Sequence, residues 1–470
     1  MPSEDLPQLQ LNLREGAEDP IADAPRAHIF RPIHYLGSKL RLTSAIVDAL
    51  DGADATRGPV LDLFAGSGTT ALALAGHRRV IASDIQEYSR VICSALLSSR
   101  PTSADIVATF AERLQAGSPL LTALRESLEP LVQFERDALR AARRGEADAI
   151  CCVLEHGSIL AAERGLLGHG SPDLQRSLKE VMRRLEQAGL AASPVATTVR
   201  YFGGAYFSYA QAVELDCLAA LAQEAMPAAL ADVFTAALLS TASDIVNTVG
   251  KQFAQPIRPK NKQGAIKQHL LTKIDRDRQL DVRATFLAWL RQYALHRAPE
   301  SGHVAARADY REALTKFAGQ YSVVYADPPY TRDHYSRFYH VLETMARRDN
   351  PAIARNPGAP DNQLSRGLYR DDRHQSPFCI RSQAPGAFRE LFRLASQAKA
   401  QMVLSYSPFQ SGAHPRLMQV DALIDLARNF YTTVELERVD GVSHSKLNHS
   451  SLNFDVPSEA EVLIVCRLTR

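Results

Sequence analysis

One stretch decides the fold class: Val60-Leu61-Asp62-Leu63-Phe64-Ala65-Gly66-Ser67-Gly68-Thr69-Thr70-Ala71. Its first five residues are the apolar run of a buried parallel strand, and a glycine turn and a helix over 72–75 follow. Glycine lets a ligand approach the backbone closely, and a helix N-terminus attracts negative charge. Strand, Gly-x-Gly turn and helix together are the opening of a Rossmann-type unit. The stretch predicts an α/β fold with a ligand at the turn, although a purely structural turn would read the same way.

A second strand, residues 80–84, ends in an acid sixteen residues after Gly68. An acid in this position can accept hydrogen bonds from ribose hydroxyls. Asp84 therefore predicts a nucleoside-containing ligand. Both a nicotinamide dinucleotide and S-adenosylmethionine fit this much of the pattern.

A third buried strand, residues 323–325, is followed by Asp327, Pro328, Pro329 and Tyr330. The two prolines have no N–H donor and keep the backbone stiff, so their carbonyl groups are free to accept hydrogen bonds. Asp327 adds an acceptor and Tyr330 adds a flat ring. This combination predicts a rigid slot for the amino group of a nucleobase, with a simple Pro-Pro loop as the alternative.

The motif Asp327-Pro328-Pro329-Tyr330 resembles the catalytic motif of the amino-methyltransferases that use S-adenosylmethionine, above all the adenine-N6 DNA methyltransferases. The glycine stretch resembles their cofactor loop. Tyr35-Leu36-Gly37-Ser38-Lys39 resembles the N-terminal motif of the Dam-like enzymes, although alone it also reads as a helix entry. The three motifs occur in the order of the alpha group, and the resemblance covers about residues 33–100 and 320–470.

The resemblance implies a site-specific DNA adenine-N6 methyltransferase with S-adenosylmethionine as cofactor and double-stranded DNA as partner. It implies catalysis by the Asp-Pro-Pro-Tyr motif without a metal. Cofactor binding is expected of Tyr35, Lys39, Asp62, Phe64, Gly66, Gly68, Thr69, Asp84 and Ile85. The setting would be restriction-modification, phage defence or an orphan methylase, with cognate restriction or defence subunits as further partners.

Several alternatives remain open. A cytosine-N4 DNA methyltransferase or an RNA base methyltransferase would use similar motifs. A nicotinamide oxidoreductase would use the glycine turn but leaves Asp327-Pro328-Pro329-Tyr330 unexplained, and a catalytically silent DNA-binding subunit would keep the fold without turnover. A cytosine-C5 enzyme needs a nucleophilic cysteine beside the slot, and we expect none of the six cysteines there.

The composition describes a globular chain of 470 residues with 46% hydrophobic and 23% charged residues. The cysteines form no metal-binding spacing and read as reduced, mostly buried thiols of a cytoplasmic protein. No uninterrupted apolar run reaches the length of a membrane span. A net charge of +2 is too small to indicate a nucleic-acid partner by itself, so the placement of the charges matters more.

The expected organisation is an α/β, Rossmann-like methyltransferase sheet with a large, mainly helical inserted target-recognition region. Residues 1–29 form an N-terminal arm, residues 30–100 and 320–470 the catalytic domain, and residues 101–319 the insertion. No third crossover strand is evident inside the insertion, which has amphipathic helical patterns over 174–189 and 210–239.

Two segments of the insertion are candidates for contact with DNA. Residues 200–209 contain five aromatic side chains, which predict either base stacking or a plug in the core. Residues 251–278 concentrate positive charge and predict contacts to the phosphate backbone. The expected nucleic-acid-binding residues are Lys251, Arg258, Lys260, Lys262, Lys267 and Lys273.

The C-terminal part contributes the remaining elements. Residues 349–386 read as a polar, mobile excursion, and residues 402–407 as another buried strand. Residues 431–439 and 461–468 are strand-like and predict a terminal hairpin. The resemblance implies that an antiparallel strand closes the sheet. His444 and His449 read as part of a surface loop.

Overall fold

The computed structural model describes residues 30–35, 39–98, 104–165, 170–299, 302–329, 335–355, 364–407, 417–440 and 459–469. Within it, Pro32–Arg470 form one compact unit. The predicted N-terminal arm, Tyr330, and the loop with His444 and His449 lie outside the described residues.

Seven strands form one sheet in the order β3-β2-β1-β4-β5-β7-β6. The first five strands in this order are parallel, and β7 is antiparallel to both β5 and β6. The strand order reverses between β1 and β4, and ligands of open α/β sheets bind at such a switch point, beyond the carboxyl ends of the strands. The strands are β1 (Val60–Asp62), β2 (Val80–Asp84), β3 (Val304–Arg307), β4 (Val323–Ala326), β5 (Gln401–Tyr406), β6 (Thr433–Asp440) and β7 (Glu459–Arg467).

Helices on both faces bury the central strands, which explains their continuous apolar runs. Three helices precede the helical region: α1 (Thr43–Ala53), α2 (Thr69–Ala75) and α3 (Glu87–Leu96). They pack on the face that carries Val60, Val323 and Val403. The mixed α/β fold, the buried strands and the terminal hairpin are confirmed.

A helical region connects α3 to β3. It contains α4 (Ala104–Ala116), α5 (Pro119–Arg143), α6 (Asp148–His156), α7 (Ile159–Glu163), α8 (Pro172–Gln187), α9 (Thr197–Phe202), α10 (Tyr209–Ala225), α11 (Ala231–Ile245), α12 (Gln268–Arg278) and α13 (Val282–Leu295). In α8 the buried residues Leu174, Leu178, Val181 and Leu185 follow the helical period, as predicted. Helix α11 packs against α3 and so joins this region to the sheet.

Four further helices follow β3. They are α14 (Tyr310–Lys316), α15 (Tyr335–Arg347), α16 (Ala384–Gln397) and α17 (Val420–Ala427). Three of them, α14, α16 and α17, cover the second face of the sheet, which carries Leu61, Val324 and Leu404. Helix α15 lies instead against α3, α9 and α11, between the sheet and the helical region.

The expectation that no third crossover strand exists is wrong, because β3 lies parallel to β2 at the edge of the sheet. The strand has only four residues, it is partly exposed, and Val304 is its only β-branched residue. Such a short edge strand carries little of the pattern by which strands are recognised. The sheet therefore resumes at Val304, before the boundary expected at residue 319.

The aromatic segment 200–209 forms part of the core. Phe202, Tyr206, Phe207 and Tyr209 are fully buried. The Tyr206 hydroxyl donates to the carbonyl oxygen of Phe253 over 3.0 Å. Of the two interpretations, the core plug is therefore the one that this structure supports.

One apolar stretch among the described residues, Ala228–Ile245, has the length and composition of a membrane span. Most of it is buried inside the fold, and it consists mainly of α11, which packs against α3, α10 and α13. A core helix of a globular protein has the same properties.

A buried ion pair ties the helical region together. The Arg278 guanidinium binds the Glu135 carboxylate, and both side chains are almost fully buried. Arg278 also donates to the carbonyl oxygen of Gly204 over 2.7 Å, and Glu135 accepts the N–H of Tyr209 over 2.7 Å. The pair thus joins α5, α12 and the aromatic segment. Because Glu135 neutralises the charge of Arg278 inside the protein, Arg278 cannot contact DNA.

We expect Glu135→Gln to lower the free energy of unfolding by about 3 kcal/mol, because it leaves a buried guanidinium without its counter-charge. Chemical denaturation measures the difference. The exposed pair of Arg428 and Asp425 on α17 provides the control, since Arg428→Gln should cost less than about 1 kcal/mol. Equal effects of the two substitutions would contradict the prediction.

Candidate active site

A cavity opens at the carboxyl ends of β1, β2 and β4, at the predicted switch point. Segments that are far apart in the sequence line it. Of the residues predicted for the site, those on its wall are Tyr35, Lys39, Phe64, Thr69, Asp84, Ile85, Asp327, Pro328 and Pro329. The structure therefore brings the described parts of all three sequence motifs to one place.

The glycine turn borders this cavity through Ala65, Ser67 and Thr69, whereas the predicted site residues Gly66 and Gly68 do not line it. Gly66 and Gly68 have φ angles of +53° and +75°, which side chains other than hydrogen rarely tolerate. A Cβ atom on Gly66 would lie 2.5 Å from the Tyr35 hydroxyl oxygen. Both glycines are thus required by the backbone, and Gly66 also by the close approach of the N-terminal motif.

Asp84 holds the turn from the neighbouring strand. Its Oδ2 accepts the N–H of Gly66 over 3.0 Å, and its Oδ1 accepts the N–H of Gln86 over 2.9 Å. Burial raises the pKa of this carboxyl group above its usual value. Asp84 is therefore both a support of the turn and an acceptor on the cavity wall.

Tyr35 is held in place by an aromatic cluster beside the cavity. Its ring stacks on Tyr339 of α15 with 4.9 Å between the centroids, and Tyr88 of α3 tilts against the same ring of Tyr339 at 5.4 Å. Burial raises the pKa of the Tyr35 phenol well above its usual value. The neutral phenol therefore reaches the glycine turn with a fixed orientation.

Lys39 binds two carboxylates at once. Its Nζ lies 3.2 Å from Oδ1 of Asp327 and 2.9 Å from Oε1 of Glu461 on β7. Ser405 on β5 donates to the same oxygen of Glu461 over 2.8 Å. Lys39 and Glu461 are almost fully buried, whereas 21% of the Asp327 side chain is exposed. The catalytic candidate Asp327 is therefore fixed by a buried cation.

Asp62 does not line the cavity, although the resemblance assigns it to the cofactor. It is fully buried on the side of the sheet that faces α1 and α2, behind the glycine turn. Burial, and after it the charge of Asp327, raises the pKa of Asp62 to about 8. Asp62, Asp84 and Asp327 thus lie at the carboxyl ends of three neighbouring strands, where the charge of Asp327 disfavours the ionised form of Asp62.

Sequence reasoning missed a second wall of the cavity. Asp309 and Tyr310 follow β3, and His374, Ser376, Pro377 and Cys379 come from the excursion between α15 and α16. Recognition of β3 would have pointed to Asp309, because an acid after a strand is the signal that identified Asp84. No local signal marks the residues of the excursion, which reach the site by packing.

Cys379 corrects an expectation about the cysteines. Its sulfur lies 3.9 Å from the carbonyl oxygen of Pro329 and within the wall of the cavity. The expectation that no cysteine lies beside the slot is therefore wrong. Fifty residues separate the two positions, so only the tertiary structure could reveal the contact. All six cysteines are free thiols, and five are buried, as predicted.

The predicted basic run divides into paired and exposed cations. Lys251 and Lys273 bind Asp277, and Lys260 binds Glu155. Lys262 is exposed at the tip of a short hairpin that is closed by a bridge between Lys260 and Ile266. The other members of the predicted set are Arg258, which is exposed, and Lys267, whose ammonium donates to the carbonyl oxygen of Arg258.

Comparison with known proteins supports the interpretation of the motifs. Residues 35–146 match the family described as D12 class N6 adenine-specific DNA methyltransferase. Modification methylase LlaI of Lactococcus lactis subsp. lactis is 33% identical over 144 residues, which are 30% of this chain. The match spans only 20% of that relative. The resemblance to the adenine-N6 DNA methyltransferases is thereby confirmed.

We expect Asp62→Asn to remove a pH dependence of stability. Native Asp62 keeps its proton up to a pH of about 8, whereas an unshifted carboxyl group titrates near 3.8. The native state therefore binds more protons across this window, and its stability falls as the pH rises. When the pH rises from 6 to 8, the melting temperature of the wild type should fall by at least about 2 °C more than that of Asp62→Asn. A difference that does not change with pH would contradict the assignment.

Proposed function

We propose that this protein, whose residues 35–146 match the D12 class of adenine-N6 DNA methyltransferases, transfers a methyl group from S-adenosylmethionine to an adenine amino group in double-stranded DNA. One observation carries the proposal. Residues of the N-terminal motif, the glycine turn and the Asp-Pro-Pro motif line a single cavity.

The wall of the cavity suits this cofactor. S-adenosylmethionine carries a methyl group on a positively charged sulfonium, together with the ammonium and carboxylate of its methionine part, ribose hydroxyls and a purine. Asp84 and Asp309 offer acceptors, and Phe64 and Tyr310 offer rings whose centroids are 6.3 Å apart. Tyr35 packs against Gly66, and Ser67 and Thr69 of the turn add hydroxyl groups to the wall. We assign Asp84 to the ribose hydroxyls, Gly66 and Gly68 to the close backbone approach, and Asp62 to the support of the turn from behind.

The chemistry requires two hydrogen-bond acceptors for the amino group of adenine, because its lone pair is shared with the ring. We assign these roles to the Asp327 carboxylate and the Pro328 carbonyl oxygen. Lys39 at 3.2 Å favours the ionised form of Asp327, which accepts hydrogen bonds but cannot donate them. Acceptors held in place orient the amino group, and this positioning lowers the barrier without a covalent intermediate on the protein.

The substrate base must leave the duplex to reach the cavity, which costs a few kcal/mol. We propose that Tyr330 stacks on the flipped adenine and returns about 1–3 kcal/mol of this cost. We further assign target recognition to the helical region between α3 and β3. Because the relative is named a modification methylase, a restriction-modification setting with a cognate nuclease is part of the proposal.

We expect Asp84→Ala to weaken the binding of S-adenosylmethionine at least tenfold, which corresponds to about 1.4 kcal/mol. The carboxylate is an acceptor on the cavity wall and also holds the N–H groups of Gly66 and Gln86. Isothermal titration calorimetry measures the affinity, and a thermal melt checks that the variant folds. Asp425→Ala on the exposed face of α17 is the control. Unchanged affinity, or binding of a nicotinamide dinucleotide instead, would refute the cofactor assignment.

We expect Asp327→Ala to abolish methyl transfer and to preserve folding and cofactor binding. Tyr330→Ala should be nearly inactive, whereas Tyr330→Phe and Tyr330→Trp should keep much of the activity, because stacking needs only a ring face. Cys379→Ser should also keep it, because the proposed reaction has no covalent intermediate.

The assay follows labelled methyl groups from S-adenosylmethionine into duplex DNA, which is then digested to identify the modified nucleoside. N6-methyladenine is the expected product. N4-methylcytosine would favour the alternative DNA substrate, and a loss of transfer in Cys379→Ser with formation of 5-methylcytosine would indicate a nucleophilic cysteine. Full activity of Asp327→Ala would refute the mechanism.

A further inference from the structure

Four arginines, two exposed and two partly buried, lie close together around Tyr369 beside the proposed active site. We call them the arginine strip: Arg258, Arg337, Arg366 and Arg373. They come from the loop before α12, from α15, and from the excursion after α15. Two contacts join these segments. Arg366 donates to the carbonyl oxygen of Ile257 over 2.8 Å, and the Tyr369 hydroxyl donates to the carbonyl oxygen of Ala254.

Tyr369 organises the strip. The Arg337 guanidinium lies 5.1 Å from the centre of its ring, and the Arg373 guanidinium lies 4.8 Å from it. Arg337 also donates to the Tyr369 hydroxyl over 3.3 Å, and Arg373 donates to the carbonyl oxygen of Arg370 over 2.9 Å. Contact with an aromatic ring attracts and orients a guanidinium without neutralising its charge.

No carboxylate forms an ion pair with the strip in the described part of the chain, although Glu155 attracts Arg366 and Asp371 attracts Arg373 from a greater distance. None of the four guanidiniums forms an ion pair there, and the buried Nε of Arg337 has no hydrogen-bond partner. The neighbouring Arg370 differs, because it binds Asp349 at 2.7 Å and Asp372 at 2.9 Å. The strip therefore carries positive charge that no ion pair among the described residues neutralises.

The electrostatics of the strip agree with this picture. Burial and then the charge of Arg258 lower the pKa of Arg366, and the charge of Glu155 opposes them. Burial lowers the pKa of Arg373, and the charge of Arg337 adds to the effect, although Asp371 opposes it. Cations that repel one another gain stability when an anion lies between them.

The strip reaches the mouth of the cavity. Ser336, next to Arg337, lines the cavity, and so does His374, next to Arg373. Both residues also line a second polar cavity that Arg373 borders. A polyanion bound along the strip would therefore pass directly beside the slot formed by Asp327 and Pro328.

We propose that the arginine strip binds the phosphodiester backbone of the DNA strand that carries the target base, where that base leaves the duplex. This inference rests on the proposed function and extends it, because it places the strand beside the cavity. The guanidinium fork matches the oxygen atoms of a phosphate group. Three of the four arginines lie outside the basic run of residues 251–278, from which the sequence predicted the backbone contacts.

The test is the salt dependence of duplex binding, measured by fluorescence anisotropy with a labelled duplex from low to moderate potassium chloride. Each phosphate contact contributes about 0.9 to the slope of log K against log salt. The triple variant Arg337→Gln, Arg366→Gln, Arg373→Gln should lower this slope by about 2–3 and weaken binding at least tenfold at a fixed moderate salt concentration. Its melting temperature and its affinity for S-adenosylmethionine should stay those of the wild type.

Two matched variants separate charge from fold. Replacing Arg176, Arg183 and Arg428 with Gln removes three exposed arginines that are each paired on their own helix. This control should leave the slope unchanged. Replacing Arg337, Arg366 and Arg373 with Lys keeps the charge and should keep most of the slope. A third variant removes the cations of the hairpin by Lys260→Ala, Lys262→Ala and Lys267→Ala.

The outcomes distinguish the two proposals. If the wild type binds and methylates duplex DNA but the Gln variant keeps its slope, the inference about the strip is overturned and the proposed function stands. If the slope falls only when Lys260, Lys262 and Lys267 are replaced, the backbone contacts lie at the hairpin that contains Lys262 instead of at the strip. If the wild type neither binds nor methylates duplex DNA, the proposed function fails first. Tighter binding of RNA, lost in the Gln variant, would assign the strip to a different nucleic acid.

Discussion

The contact of the Lys39 ammonium with Asp327 and Glu461 is the interaction on which the site depends. Burial of an ammonium group is costly unless carboxylates lie beside it, and here one lies at 3.2 Å and one at 2.9 Å. The three residues come from the N-terminal motif, the end of β4 and the antiparallel strand β7. Since Ser405 of β5 binds Glu461 as well, the geometry of Asp327 requires the completed sheet. The C-terminal hairpin thus has a direct connection to the proposed chemistry.

Charge is divided sharply between the inside and the outside of the proposed site. Asp62, Asp84 and Asp327 lie at the carboxyl ends of three adjacent strands, and their repulsion contributes to the raised pKa of Asp62. A positively charged cofactor would relieve this repulsion, which suits a sulfonium with an ammonium group. The arginine strip lies just beyond the mouth and suits an anion. Acids within and cations outside would thus receive two substrates of opposite charge at adjacent places.

The helical region and the excursion after α15 pack against each other, although more than a hundred residues separate them. Arg348 binds Asp216 of α10 at 2.7 Å, and the Tyr201 hydroxyl donates to the carbonyl oxygen of Pro351 over 2.9 Å. Tyr369 then connects the excursion to Arg337 of α15 and to Ala254 in the loop before α12. The helical region and the excursion therefore pack as one unit beside the cavity. A structural change in one of them should alter the position of the other.

The sequence alone determined the elements whose signals are local. The apolar runs of β1, β2, β4 and β5, the glycine turn and the Asp-Pro-Pro motif were all readable, because a strand buried on both faces and a turn with positive φ each restrict the residues they accept. Tertiary structure alone decided the rest. Edge strand β3 is too short to leave a pattern, and the approach of Cys379 to Pro329 depends on packing across fifty residues. The basic run looked uniform in the sequence. In the structure, however, Arg278 forms an ion pair with Glu135, and Lys251 and Lys273 form ion pairs with Asp277. Whether a charge faces solvent or a buried partner is set by contacts between distant segments, and no local pattern records them.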